Sequence, residues 1–227
     1  MKKKISIVTG GAGLIGSHLV DLLIKKKHFV FVIDDFSGGH KKNIIHHLKN
    51  KNFNLIKKNI LDKNLKLPAK ADYLFHLAGK GDLVPSIENP EKYIKNNTFG
   101  TLRILELSKN LSLKKFIYAA SSTCYGISKY PTHENEEIKC EHPYALSKYL
   151  GEELVMHWAK VYKMNVNSIR IFNAYGPRVK TTGVYGAVFG VFFKQRLENE
   201  PLTIVGNGNQ KRDFINVKDV AEALYKA

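Results

Sequence analysis

The sequence predicts an α/β fold, a doubly wound parallel sheet followed by the start of a smaller C-terminal substrate domain. Three observations predict it. Short apolar runs alternate with longer amphipathic stretches from the N-terminus to about residue 175. A glycine-rich turn joins the first run to the first amphipathic stretch. Beyond Pro177 the texture changes to closely spaced glycines and aromatics, as far as Phe193. Strands that alternate with helices pair in parallel and bury both sheet faces under those helices. Right-handed crossovers then wind the sheet in two directions from its middle.

Six runs read as strands: Ile5 to Gly10, Phe29 to Asp34, Phe53 to Lys57, Tyr73 to Ala78, Lys115 to Ala120 and Val166 to Phe172. Apolar positions at helical spacing predict helices over Leu14 to Lys26, Lys42 to Lys49, Pro90 to Lys109 and Pro143 to Tyr162. A further short strand is expected in "PLTIVG" (201–206) and a helix from Val217. The chain stops at Ala227 inside that helical pattern, with no stop signal, so the sequence reads as an incomplete protein. The expected division is a dinucleotide-binding domain over 1–175 and a partial substrate-binding region over 176–227.

The net charge is +16, carried by 31 Lys and only five Arg. The lysines are scattered, with short runs at Lys2 to Lys4 and Lys25 to Lys27. Base readers concentrate Arg and aromatics on one face, so this pattern reads as a solvated surface with no nucleic-acid partner. It would still attract an anionic substrate. Cys124 and Cys140 are too few for a disulfide framework and are expected as free thiols. No leader pattern and no apolar run of membrane-spanning length is visible. The expectation is a cytoplasmic protein without a membrane partner.

The turn "TGGAGLIG" spaces Gly10, Gly13 and Gly16 between a strand and a helix. Glycine permits the tight turn and the close approach of backbone to a pyrophosphate, and the helix N-terminus offers free N–H groups to the anion. Asp34 ends the second strand, where an acid accepts the hydroxyls of an adenine ribose and repels a 2′-phosphate. The cofactor expected is therefore NAD.

Tyr144 and Lys148 in "PYALSKYLGEE" lie four apart on a predicted helix and so share a face. A phenol ionises near pH 10, too high for a base at neutral pH. A nearby ammonium and an oxidised nicotinamide are expected to lower that value, so that the pair takes a proton while hydride leaves carbon. Ser121 in "YAASSTCYG" follows the fifth strand, where a doubly wound sheet places its site, and is the expected relay for that proton.

Through these motifs the chain resembles the extended short-chain dehydrogenases, and among them the nucleotide-sugar epimerases and dehydratases. The resemblance rests on "TGGAGLIG", "HLAG", "NNTFGT", "SSTCYG", "YALSK", "RIFNAYGPR" and "RDFINVKDV", in the family's order along nearly the whole chain. It implies a catalytic set of Ser121, Tyr144 and Lys148. It implies cofactor contacts from Gly10, Gly13, Leu14, Ile15, Gly16, Asp34, Asn59, Ile60, Leu77, Ala78, Gly79, Asn97, Tyr144, Lys148 and Phe172. Substrate contacts are implied for Ser121, Tyr144, Asn173 and Arg212, the last two at a nucleotide diphosphate. Asn59 departs from the family's usual Asp at the adenine amino group, although its carbonyl can still accept.

The reaction implied is NAD-dependent epimerisation at C4 of a UDP-hexose, glucose and galactose or their N-acetyl forms, by a homodimer. The 4,6-dehydratases carry an Asp-Glu pair, and the decarboxylases a Glu, where this chain has Ser122 and Thr123. A rival of another class is an NAD-binding regulatory protein that has lost its chemistry; the intact Ser121, Tyr144 and Lys148 set argues against it. The remaining candidates read blandly. His46 and His47 have no Cys or acidic partner at ligand spacing, so no metal site is expected. Cys124 reads as packing, and Met156 and Trp158 as core or dimer face. The stripe of Leu150, Leu154, His157 and Val161 fits a dimer seam or core packing equally.

Overall fold

The computed structural model describes residues 3–179, 188–204 and 206–227. All six expected strands form, as β1 (Ile5–Thr9), β2 (Phe29–Ile33), β3 (Phe53–Ile56), β4 (Tyr73–His76), β5 (Lys115–Ser121) and β6 (Val166–Ile171). They make one parallel sheet in the order β3-β2-β1-β4-β5-β6. The chain reverses its winding between β1 and β4, and the crevice above their C-terminal ends is where such sheets bind ligands. Strands β7 (Asn173–Tyr175) and β8 (Phe214–Asn216) form a separate parallel pair.

The helices are α1 (Leu14–Lys25), α2 (Leu83–Glu88), α3 (Pro90–Tyr93), α4 (Gly100–Ser108), α5 (Pro143–Tyr162), α6 (Val188–Leu197) and α7 (Val217–Lys226). One core lies under α1 and α7, where Val8, Leu19, Val32, Val220 and Leu224 pack together. The other lies under α4 and α5, around Ile7, Leu74, Ile104, Phe116, Tyr118 and Trp158. The residues of α7, which follow the change of texture in the sequence, thus belong to the first core. Trp158 is buried and Met156 exposed. Leu154 packs on the second core, whereas Leu150 and Val161 remain exposed.

Four elements differ from the sequence reading. Residues 42–49 form two 3-10 turns, Lys41–Asn43 and Ile45–His47, because the Asn43 side chain turns inward to donate to Ala12 O at 2.9 Å. The stretch from Pro90 is not one helix: a π-helical segment, Ile94–Phe99, separates α3 from α4 and carries Asn97. The short helix α2 was not legible. "PLTIVG" forms no strand over its described residues 201–204; Leu202 and Ile204 are exposed, and β8 takes the place beside β7 instead.

Gly10 shows why the phosphate loop needs glycine. Its φ is +71°, and a Cβ there would stand 2.7 Å from the backbone nitrogen of Ala78. The end of β1 therefore lies directly against the residues that follow β4.

A buried polar chain ties these strand ends to the π segment. Ala78 N–H donates to Thr9 Oγ1 at 3.2 Å, and Thr9 Oγ1 lies 2.7 Å from His76 Nδ1. His76 Nε2 lies 3.0 Å from Thr101 Oγ1, whose proton goes to Asn97 O at 2.6 Å. Because Thr101 donates onward, it must accept from His76, so a neutral His76 carries its proton on Nε2 and accepts from Thr9 on Nδ1. The Asn97 side chain accepts from Lys80 N at 2.7 Å and donates to Ser147 Oγ at 2.9 Å, which extends the chain to α5.

His76 is fully buried, and desolvation pushes its pKa from 6.5 down to about 3. In the unfolded chain it would take up a proton near pH 6.5, so its share of stability is whole above that pH and is lost as pH falls toward 3. The expected slope is about 1.4 kcal/mol per pH unit. A His76→Gln variant should unfold with a shallower acid dependence between pH 6.5 and 5 than the parent. Parallel curves from denaturant titrations would contradict this.

Candidate active site

Three strand ends and one helix build the site. β5 delivers Ser121 at its C-terminal end, and a 3-10 turn over Ser122–Tyr125 follows directly. α5 starts beside it. Pro143 occupies its first turn, where no N–H is needed, and His142 Nδ1 accepts from Ala145 N at 3.2 Å. Tyr144 is therefore in the first turn, where the helix dipole favours an anion. Its N–H is held by Ser86 Oγ of α2 at 3.1 Å.

Tyr144 Oη donates to Ser121 Oγ at 3.2 Å. Ser121 Oγ also lies 2.8 Å from Thr123 Oγ1 and accepts from Thr123 N at 3.3 Å. The Tyr144 ring stacks on His142 and meets the edge of Tyr93, with centroids 5.9 and 6.4 Å away. Burial raises its pKa; the bond to Ser121 works against that rise and the charge of Asp82 adds to it. The sequence reading expects a lowered Tyr144, but the protein alone gives the opposite direction, because desolvation of a phenolate outweighs one hydroxyl contact.

Lys148 is buried one turn further along α5. Its Nζ donates to Ala119 O at 2.6 Å and sits 4.3 Å from the centre of the Tyr118 ring. Desolvation lowers its pKa to about 7, while Glu152 opposes the shift. Gly79 leaves room beside it: a Cβ on Gly79 would lie 3.1 Å from Asn97 Oδ1 and 3.9 Å from Lys148 Nζ. The structure thus brings Ser121, Tyr144, Lys148, Gly79 and Asn97 into one place.

The cofactor candidates line the switch-point crevice. Asp34 is buried at the end of β2, and its carboxylate accepts from Ala12 N and Phe36 N, both at 2.8 Å. Burial raises its pKa despite these bonds. Each carboxylate oxygen keeps a lone pair for a ribose hydroxyl. Asn59 donates to Asp35 Oδ2 at 2.6 Å and accepts from Leu61 N at 2.8 Å, so its carbonyl is already half committed. Ile60 is buried in the second core and leaves only backbone for a ligand. Leu14 and Ile15 open α1, with Gly13 as its N-cap; Leu77 and Ala78 follow β4. With the glycines of the loop, these residues fit a dinucleotide.

Phe172, Asn173 and Arg212 are exposed beyond β6, on and beside the small β7–β8 sheet. Asn173 Nδ2 donates to Asp213 O at 2.9 Å, which ties these two segments together. Among the described residues no hydrogen bond joins Asn173 or Arg212 to Ser121, Tyr144 or Lys148.

Sequence reasoning missed a second tier. Arg170 Nε lies 3.1 Å from both carboxylate oxygens of Glu152, and its Nη1 donates to Tyr125 Oη at 2.7 Å. Glu152 follows Lys148 by four residues on the same face, so the spacing alone marked it. Asp82 carries no such signal.

A profile of the NAD dependent epimerase/dehydratase family matches residues 6–227. A putative UDP-glucose 4-epimerase of Methanocaldococcus jannaschii is 37% identical over 222 residues, which cover 96% of this chain and 71% of that protein. UDP-glucuronic acid decarboxylase 4 of Arabidopsis thaliana is 36% identical over 234 residues; the match takes in all of this chain and 52% of the plant enzyme. The solved UDP-N-acetylglucosamine 4-epimerase from Methanobrevibacter ruminantium M1, in complex with UDP-N-acetylmuramic acid, superposes with a TM-score of 0.91 at 36% identity, covering 99% of this chain and 73% of that one. The phosphate loop, the Tyr–Lys helix and the parallel sheet that carries them are therefore an inheritance, and the chain belongs to the NAD dependent epimerase/dehydratase family.

Proposed function

We propose that the protein epimerises a UDP-hexose at C4 through a transient 4-keto sugar. The observation that carries this reading is the hydroxyl pair Ser121 and Thr123 beside Tyr144. Dehydration needs acid–base groups at positions 122 and 123 and decarboxylation needs one at 123, and Ser122 and Thr123 cannot serve at neutral pH.

Bound NAD supplies the hydride acceptor and donor. Tyr144 takes the proton of the 4-hydroxyl, directly or through Ser121, and gives it back to the same oxygen when the turned ketone is reduced on its other face. Lys148 holds the nicotinamide ribose and, when charged, favours the phenolate. Gly10, Gly13 and Gly16 hold the pyrophosphate at the start of α1, with Leu14 and Ile15 beside it. Asp34 takes the adenine ribose, and Asn59 with the Ile60 backbone takes the adenine. Leu77, Ala78, Gly79, Asn97 and Phe172 close the nicotinamide side. Asn173 and Arg212 anchor the substrate diphosphate while the ketone turns over. We assign 1–175, with α7 packed on it, to cofactor binding and the rest of 176–227 to the substrate region.

Phe99, Leu146 and Leu150 are exposed apolar residues on the π segment and α5. We read them as the seam of a homodimer; a monomer in sedimentation velocity would contradict that. Among the described residues no helix is long and apolar enough to cross a membrane. Free Cys124 and Cys140 suit the reducing cytoplasm.

Tyr144→Phe should lower the interconversion of UDP-glucose and UDP-galactose, or of their N-acetyl forms, by roughly 10²–10⁴-fold. NAD binding should barely change in that variant and should fall sharply in Asp34→Ala. Near-parent turnover by Tyr144→Phe, or a stable 4-keto-6-deoxy sugar or a pentose as main product, would overturn the reading.

A further inference from the structure

The fold supplies what the sequence around His46 and His47 lacks. Asp21, on α1, points its carboxylate at both rings. Asp21 Oδ1 lies 2.9 Å from His46 Nε2 and 2.7 Å from His47 Nε2, and the two ring centroids are 4.1 Å apart. The three donor atoms all lie within 4.8 Å of one another. Two imidazoles sharing one carboxylate oxygen form a nitrogen–nitrogen–oxygen set of the kind that holds zinc and its neighbours. The other oxygen, Oδ2, is taken by Arg178 Nη2 at 2.8 Å, so Oδ1 is the one presented to the rings.

We propose that Asp21, His46 and His47 bind a divalent transition-metal ion such as zinc, at a site separate from the catalytic one. Tetrahedral bonds of 2.0–2.1 Å separate neighbouring donors by about 3.3 Å, so the two ring–carboxylate gaps need to open by only about half an ångström. The ion replaces the Nε2 protons that now bridge the rings to Oδ1. Neutral rings keep their proton by moving it to Nδ1, and charged rings release one to solvent. The His46 side chain is 46% exposed, which gives the ion an entry path and leaves its remaining position to water. The Arg178 cation, held on Oδ2, weakens affinity and so sets the site apart from a permanently filled structural one.

The position has a consequence for the cofactor loop. The segment that carries both histidines is pinned to Ala12 O by His40 N at 3.1 Å and Asn43 Nδ2 at 2.9 Å. An ion bridging this segment to α1 braces it against the phosphate loop, and it does so whichever sugar the enzyme turns over.

Calorimetric titration of the purified protein with zinc, and visible spectroscopy with cobalt(II), test the proposal. The expected result is one equivalent bound, a four-coordinate cobalt spectrum without a thiolate band, and a rise in melting temperature with zinc. His46→Gln leaves a half-exposed position and should not disturb folding. It and Asp21→Asn should each weaken binding by more than the roughly 10–100-fold that loss of an outer partner costs. Absence of binding, binding equal in the parent and in His46→Gln, or a cobalt–thiolate band lost in Cys140→Ser would each overturn the assignment.

Discussion

The site depends on the burial of one ammonium. Lys148 reaches through the second core to the end of β5, where the carbonyl of Ala119 and the face of Tyr118 are what it finds in place of water. An isolated charge there would be costly, and the group answers by moving its pKa to about 7. The surrounding structure is arranged for that position. Gly151 lets α5 approach β5, since a Cβ there would collide with Tyr118 Oη and stand 3.1 Å from Asn97 O. Glu152 is fixed by Arg170 behind the lysine and favours its charged form. Tyr144, one turn earlier on the same helix, then falls against Ser121 without further adjustment.

This arrangement explains how one lysine serves two demands. In the protein alone, Tyr144 is harder to ionise than a free phenol, and burial holds the pKa of Lys148 down at about 7. Neither group is activated by the other through a direct hydrogen bond among the described contacts; Tyr144 donates to Ser121 and Lys148 to Ala119. A positive charge brought in on the Gly79 side of Lys148, where a Cβ on Gly79 would stand 3.9 Å from Lys148 Nζ, would favour the Tyr144 phenolate. Thr9, His76 and Thr101 hold that side rigid by handing one proton direction from β1 to the π segment.

Much of this was legible in the residues. Each strand of the large sheet announces itself as a short apolar run, and α5 carries a proline start and a Tyr–Lys spacing that local physics turns into geometry. What was not legible depends on tertiary partners. Nothing in "IKNNTFG" distinguishes a π turn from an α turn until Asn97 must reach Lys80 and Ser147. "PLTIVG" has strand propensity, yet its described residues 201–204 form no strand. The direction of the Tyr144 shift turns on burial, which four-residue spacing does not report. Asp21 meets His46 and His47 only because α1 lies beside the turns after β2.

In the proposed reaction hydride leaves C4 and comes back to C4 without escaping. It follows from a base held on a hydroxyl pair, with no carboxylate at positions 122 and 123 to carry the ketone further. The most direct measurement uses a UDP-hexose deuterated at C4, with the products read by mass spectrometry and NMR. The expected product is a C4 epimer that keeps its deuterium at C4. Loss of the label to solvent, its appearance at C6, or release of carbon dioxide from a uronate substrate would contradict it.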